Sequence, residues 1–383
     1  MTADDFESAT ENTLLRQAIL RRIDETGGIT FREFMQLALY HPVHGYYVTR
    51  QPMGRRGDYV TSPEVHPLFG ALVGRQLREL WETMGRPTRF DVVEFGPGAG
   101  LLARDVLRWA TASAPPFAAA IRYRLVEISE TLIERQRRTL APLSLPEGVV
   151  SWADRALDGV EGCILSNEFL DALPVHRVTV RDGRLLEVWV IRVGDGFAET
   201  LRTPSTPELE AYFDRLGLRP GEGCEAEVNL AAVRWMRSVA RALRRGFVLT
   251  FDYGYPAGEL YAPWRRQGTL LCFYRHNPST DPYARIGRQD ITASVDFTTL
   301  MRTGEEEGLT TLGFTTQARF LSALGIGAAV ERVQREDPSA LEEYYARRRA
   351  VTELLDTAGL GRICVLGQSR GVDAPRLTGF AES

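Results

Sequence analysis

The chain has 383 residues, enough for one large domain or two ordinary ones with a buried core. Its 46 Lys and Arg against 50 Asp and Glu leave a formal charge of -4. That balance excludes a general attraction to nucleic acid or an anionic membrane, and neither is expected as a partner. Four scattered cysteines (Cys163, Cys224, Cys272, Cys364) form no C-x-x-C pair, which argues against a disulfide framework or structural zinc and for a reducing compartment.

The N-terminus, MTADDFESATENTLLRQ, is acidic and lacks both an apolar h-region and the arginines of a transit peptide, so a cytoplasmic protein is expected. From Glu11 to Tyr40 the pattern is helical. Leu15, Ile19 and Ile23 line one face, Gly27-Gly28 stop the first helix, and a second starts near Thr30. His41 and His44 follow in HPVH, but Pro42 breaks their helical spacing and no cysteine or carboxylate cluster joins them, so no metal is expected. In GDYVTSPEVHPLFG, Thr61 or Ser62 can cap a helix, Pro63 fits its first turn, and Glu64 completes a capping box with Thr61. Residues 1–85 are expected to form an N-terminal helical cap.

From Arg89 strands and helices alternate. Strands are predicted at 89–95, 121–127, 147–152, 161–166, 246–252 and near 362–367, with helices at about 100–112 and 129–140 and several between 207 and 245. This is the α/β pattern of a Rossmann-like parallel sheet covered on both faces. HRVTVRDGRLLEVWVIRV interrupts it with a hairpin turning at Asp182-Gly183. The expected organisation is a core sheet begun over 86–200, a helical insertion over 201–245, and a second part of the core over 246–383 with an excursion at 253–300.

The stretch VVEFGPGAG carries the ligand question. A dinucleotide loop has its third glycine three residues after the second, but Leu101 stands there and Gly100 comes one residue early. A pyrophosphate would also be repelled by Glu94. A ligand with an ammonium and a carboxylate has no such conflict: its amine can meet the acid and its carboxylate the N–H groups of the helix start. S-adenosylmethionine is such a ligand. Gly96, Gly98 and Gly100 would let the chain pass beneath its amino-acid part. Glu127, 31 residues after Gly96, can accept from both ribose hydroxyls, with Ile128 beside it. Trp152 can face the adenine, and Asp154 can accept from its amine.

With GDYVTSPEVHPLFG, VVEFGPGAG, LSNEFLDALPVHRV and LTFDYGYP in this order and spacing, the chain resembles the MidA-like methyltransferases over roughly residues 10 to 370. The resemblance implies a class I, Rossmann-like methyltransferase that uses S-adenosylmethionine. Because a mitochondrial member of that family dimethylates a protein arginine, it also implies an arginine-bearing protein substrate. Arginine-rich segments at 262–290 and 341–349 are not part of the likeness. A small-molecule acceptor, or an assembly chaperone that only binds the donor, therefore stays open.

Ligands of a parallel sheet gather at the carboxyl ends of its strands. Asn167, Glu168 and Asp171 leave the strand GCILS there, and a guanidinium is best matched by carboxylates. These three are the expected catalytic residues. Asp252, Tyr253 and Tyr255 lie on the same rim and, with Glu64, are expected to meet the substrate. Thr61 and Ser62 are assigned to a lid over the donor.

Overall fold

The computed structural model describes residues 11–49, 57–154, 158–336, 341–373 and 375–381. The chain divides into two compact units, each made of three stretches: Met1–Tyr59, Leu170–Arg234 and Gly254–Thr299 form one, and Val60–Phe169, Trp235–Tyr253 and Leu300–Ser383 the other. These boundaries do not coincide with the four successive segments expected from the sequence. Residues 62–83, expected in the cap, belong with the core sheet.

The core unit is a seven-stranded sheet. In chain order its strands are β1 (Phe90–Phe95), β2 (Ile121–Val126), β3 (Val150–Ala153), β4 (Val160–Asn167), β5 (Leu243–Asp252), β6 (Thr310–Thr316) and β7 (Cys364–Arg370). They lie in the order β6-β7-β5-β4-β1-β2-β3. Strands β1 to β5 run parallel, whereas β7 is antiparallel to both β5 and β6. The all-parallel expectation is corrected there. Strand β6 was not expected: TTLGFTT has only two large apolar residues, Leu312 and Phe314, about a glycine, and it is an edge strand paired with β7 alone. The central strands β1 and β4 are buried along nearly their whole length, as a sheet covered on both faces requires.

Five helices of this unit matter for the site: α1 (Ser62–Val65), α2 (Leu68–Thr83), α3 (Leu101–Ser113), α4 (Glu130–Leu140) and α5 (Gln317–Ala323). The capping box forms at α1, where the Thr61 N–H and hydroxyl both donate to Glu64 Oε2. Pro67 excludes His66 from helical geometry, so His66 is extended and separates α1 from α2. Leu72, Leu77 and Leu80 of α2 join Val106 and Leu107 of α3 in the main core beneath β1 and β2.

The other unit packs helices Thr13–Thr26 and Phe31–Tyr40 with a five-stranded antiparallel sheet. Its hairpin turns where expected, with Asp182 and Gly183 both at positive φ (52° and 69°), as a two-residue primed turn demands. Within it Asp58, 1% exposed, accepts the Tyr46 hydroxyl and the Arg275 N–H, each at 2.8 Å. The Asp58 carbonyl takes the His276 N–H. The first part of GDYVTSPE is thus a pin for the turn at Arg275-His276. Among the described residues no helix is long and apolar enough to cross a membrane.

Candidate active site

Strand β1 runs into a loop in which Gly96, Gly98 and Gly100 all have positive φ, at 63°, 50° and 76°. A Cβ on Gly96 would stand 2.6 Å from the Phe169 ring, and one on Gly100 would stand 3.2 Å from Gln136 Cγ. Those two glycines therefore clear space for side chains of the protein itself. Glu94, 2% exposed, accepts the Tyr123 hydroxyl at 2.7 Å. Burial pushes its carboxyl up to about 7, with the Tyr123 bond opposing the shift.

At the tip of β2, Glu127 Oε1 accepts the N–H groups of Ile128 and Ser129, both at 2.9 Å. Its Oε2 accepts from Gln136 Nε2 at 3.3 Å. Burial raises the Glu127 carboxyl and these bonds lower it. Ile128 is 73% exposed beside it. Trp152 on β3 donates its indole N–H to Gln136 Oε1 at 2.8 Å, with the Arg137 guanidinium 5.2 Å over its ring. Asp154 is exposed just beyond β3. Gln136 was not singled out in the sequence. Its signal was a polar residue in the buried stripe Ile133, Gln136, Leu140 of α4.

At the tip of β4 the chain makes an unusual turn. Glu168 has φ 50°, a left-handed conformation that a residue with a Cβ adopts at a cost of about 1–2 kcal/mol. Its N–H is held by the Phe251 carbonyl at 2.8 Å. Its Oε1 accepts from the Ser62 N–H at 3.0 Å and from Asn167 Nδ2 at 3.1 Å. Burial pushes the Glu168 carboxyl up to about 8. The two hydrogen bonds oppose that shift, while Asp252 and Glu64 reinforce it. Asn167 Oδ1 is buried with no partner. Asp252 accepts the Phe169 N–H at 3.1 Å and the Tyr253 N–H at 2.9 Å, fixing the chain on either side of the rim. The Tyr253 ring lies under the Arg362 guanidinium, 5.6 Å away.

Of the expected lid residues, Ser62 turns its hydroxyl to Gln317 Oε1 at 2.9 Å and its N–H to Glu168. Thr61 and Glu64 are joined in the capping box. Of the residues expected at the site, Thr61, Ser62, Glu64, Glu94, the three glycines, Glu127, Ile128, Trp152, Asp154, Asn167, Glu168, Asp252 and Tyr253 lie in the core unit. Asp171 and Tyr255 fall in the other unit. There the Asp171 carbonyl accepts the Ala293 N–H, and Tyr255 lies beneath Arg265.

Residues 72–315 match a family described as S-adenosyl-L-methionine-dependent methyltransferases. The chain is 33% identical to the mitochondrial protein arginine methyltransferase NDUFAF7 homolog of Drosophila melanogaster, over 95% of this chain and 86% of that one. Against the Mus musculus protein arginine methyltransferase NDUFAF7, mitochondrial, identity is 32% over 88% of this chain and 80% of the relative. The chain belongs to this methyltransferase family. A crystal structure of a COG1565 superfamily member from Burkholderia thailandensis, bound to S-adenosyl-homocysteine, superposes on the methyltransferase with a TM-score of 0.89. It is 34% identical, covering 100% of this chain and 97% of that one.

The methyltransferase has the class I fold, and its methyl donor is S-adenosylmethionine. The donor fits the residues present: a positive-φ loop at a helix start, a carboxylate at the tip of β2, and Trp152 with exposed Ile128 on the adjoining rim. The cytoplasmic expectation is overturned by the relatives, which are named as mitochondrial. It rested on the residues at the start of the chain, and these do not decide a compartment.

Proposed function

We propose that this methyltransferase methylates an arginine guanidinium of a protein partner, with Glu168 as the residue that receives and orients it. The observation that carries this reading is the tip of β4. Glu168 is buried, held in a left-handed conformation, and has Oε1 occupied by Ser62 and Asn167. Its Oε2 is left for a substrate donor, and the unpartnered Asn167 Oδ1 is a second acceptor of the same rim. A planar cation with several N–H groups suits two adjacent acceptors. The name protein arginine methyltransferase, borne by the relatives, supports the same acceptor.

S-adenosylmethionine, when bound, supplies an electrophilic methyl group. Glu127, with Ile128, Trp152 and Asp154, would hold its adenosine part, and the glycine loop above Glu94 its amino-acid part. Glu168, once ionised, pairs with the guanidinium and takes the proton lost from the reacting nitrogen at Oε2. Asp252 keeps the turn after Glu168 in register.

The test is incubation of the enzyme with isotopically labelled donor and a protein extract of its source, followed by analysis of labelled bands for methylarginine. Methylarginine in a discrete protein supports the reading. Label confined to small molecules, or on another side chain, sinks it.

A further inference from the structure

Three elements of the donor site come from separate stretches of chain: the glycine loop after β1, Glu127 after β2 and Trp152 on β3. One side chain touches all three. Gln136, on α4 and 0% exposed, donates from Nε2 to the Gly98 carbonyl at 2.9 Å and to Glu127 Oε2 at 3.3 Å. Its Oε1 accepts the Trp152 indole N–H at 2.8 Å. Gly100 lacks the Cβ that would press on Gln136 Cγ. We infer that Gln136 is the positioning residue of the donor site, setting the ribose carboxylate, the adenine-facing indole and the loop in one fixed arrangement.

The amide is chemically suited to the task. It must donate twice and accept once, and among uncharged side chains of this length only glutamine offers both functions. A glutamate would bring a second carboxylate against Glu127 and leave the Gly98 carbonyl without its donor. A methionine would keep the volume and lose every bond. Because Gln136 is buried behind Glu127 and Trp152, it acts through them. Its loss should therefore appear in donor affinity rather than in the chemistry at Glu168, since a pre-arranged site binds without the cost of ordering its groups.

The inference rests on placing the donor at Glu127 and the glycine loop, and the controls separate the two. S-adenosylhomocysteine affinity is measured by calorimetry for the wild type, Gln136→Met, Trp152→Phe and the double variant. Glu127→Ala and Gly98→Val are run beside them. Gln136→Met, which loses all three hydrogen bonds, is expected to weaken binding about tenfold or more. Label transfer to extract proteins at saturating donor should stay within about threefold of the wild type. The double variant should lose less affinity than the product of the single losses, because both singles break the same bond. Unchanged affinity in Gln136→Met, or a loss of transfer without loss of affinity, overturns the assignment. If Gln136→Met does not fold, Gln136→Glu takes its place with the same readings. If Glu127→Ala and Gly98→Val also bind normally, the donor site itself is misplaced. If they fail to bind and the Gln136 variant does not, only the role of Gln136 falls.

Discussion

The Ser62 N–H points at Glu168 Oε1 from 3.0 Å, so the first turn of α1 holds a carboxylate that lies 106 residues away in sequence. That backbone donor favours the ionised carboxylate, against the burial that disfavours it. Ser62 is the first residue of α1, where proline is tolerated, and Thr61 is already extended as a residue before proline must be. Ser62→Pro should therefore fold while deleting the donor. Its expected signature is a rise in the pH at which methyl transfer switches on, with a fall of about ten- to a hundredfold in rate at neutral pH. Ser62→Ala keeps the N–H and should leave the pH profile in place. Identical profiles for Ser62→Pro and the wild type would separate Ser62 from the chemistry.

Glu168→Gln should lower the rate of transfer by about a hundredfold or more while leaving S-adenosylhomocysteine affinity unchanged. The same variant should be more stable than the wild type in alkaline solution. In the fold the carboxyl is pushed up from 4.5 to about 8, so between those values the folded protein holds a proton that the unfolded chain has lost. Stability then falls as pH rises through that window, and the full penalty stands above about 8. Removing the charge removes that penalty. Thermal midpoints of the two proteins should lie close together in acid, draw apart as pH rises from about 4.5 to about 8, and keep a constant gap beyond. Midpoints that stay parallel at all pH values would contradict a buried, proton-holding Glu168.

Tyr123→Phe should destabilise the core unit, because Glu94 is 2% exposed and loses the hydroxyl that bonds it. An unsatisfied buried acceptor costs about 1–3 kcal/mol. The Glu94 carboxyl, already pushed up to about 7, should move higher. The loss should accordingly be greater above that pH, where the carboxylate is charged, than below it. Urea melts at two pH values check this. Equal losses at both would mean that the pair is an ordinary neutral hydrogen bond.

Gly98→Val should abolish donor binding. The native φ of 50° is costly for a β-branched residue, by about 1–2 kcal/mol or more, and the new side chain would enter the space under the donor's amino-acid part. The parallel strands lie outside the loop, so thermal unfolding without donor should stay cooperative. Retained affinity in a folded variant would reduce this glycine to a matter of packing.

The cofactor and the strand-loop-helix frame around the proposed donor site were readable because they lie on local pattern. A strand, a glycine loop and an acid at the next strand end fall in fixed order, and the capping box at Thr61 and Glu64 is a four-residue signal. Gln136 was hidden because its three partners come together only when β1, β2 and β3 are laid side by side. The left-handed turn at Glu168 was hidden for another reason: it is imposed by bonds to Phe251, Ser62 and Asp252, none a sequence neighbour. Strand β6 escaped because it has only two large apolar residues, Leu312 and Phe314, about a glycine. Asp171 and Glu168, grouped because they lie three residues apart after β4, fall in different units, since the chain changes units between them.

The chain leaves the core unit after Phe169 and after Tyr253, one residue beyond Glu168 and Asp252. Both departures thus occur at the carboxyl tips of β4 and β5, and neither disturbs the hydrogen-bonded register of the sheet. A lineage could lengthen, shorten or replace the departing stretches while the donor-binding half stayed unchanged, since insertions at strand tips leave the ladder intact. The same arrangement makes dissection by deletion unworkable. Each unit is woven from three separate stretches, so no single truncation point isolates either. Isolating the core would take removal of Met1–Tyr59 and two internal splices, joining Phe169 to Trp235 and Tyr253 to Leu300.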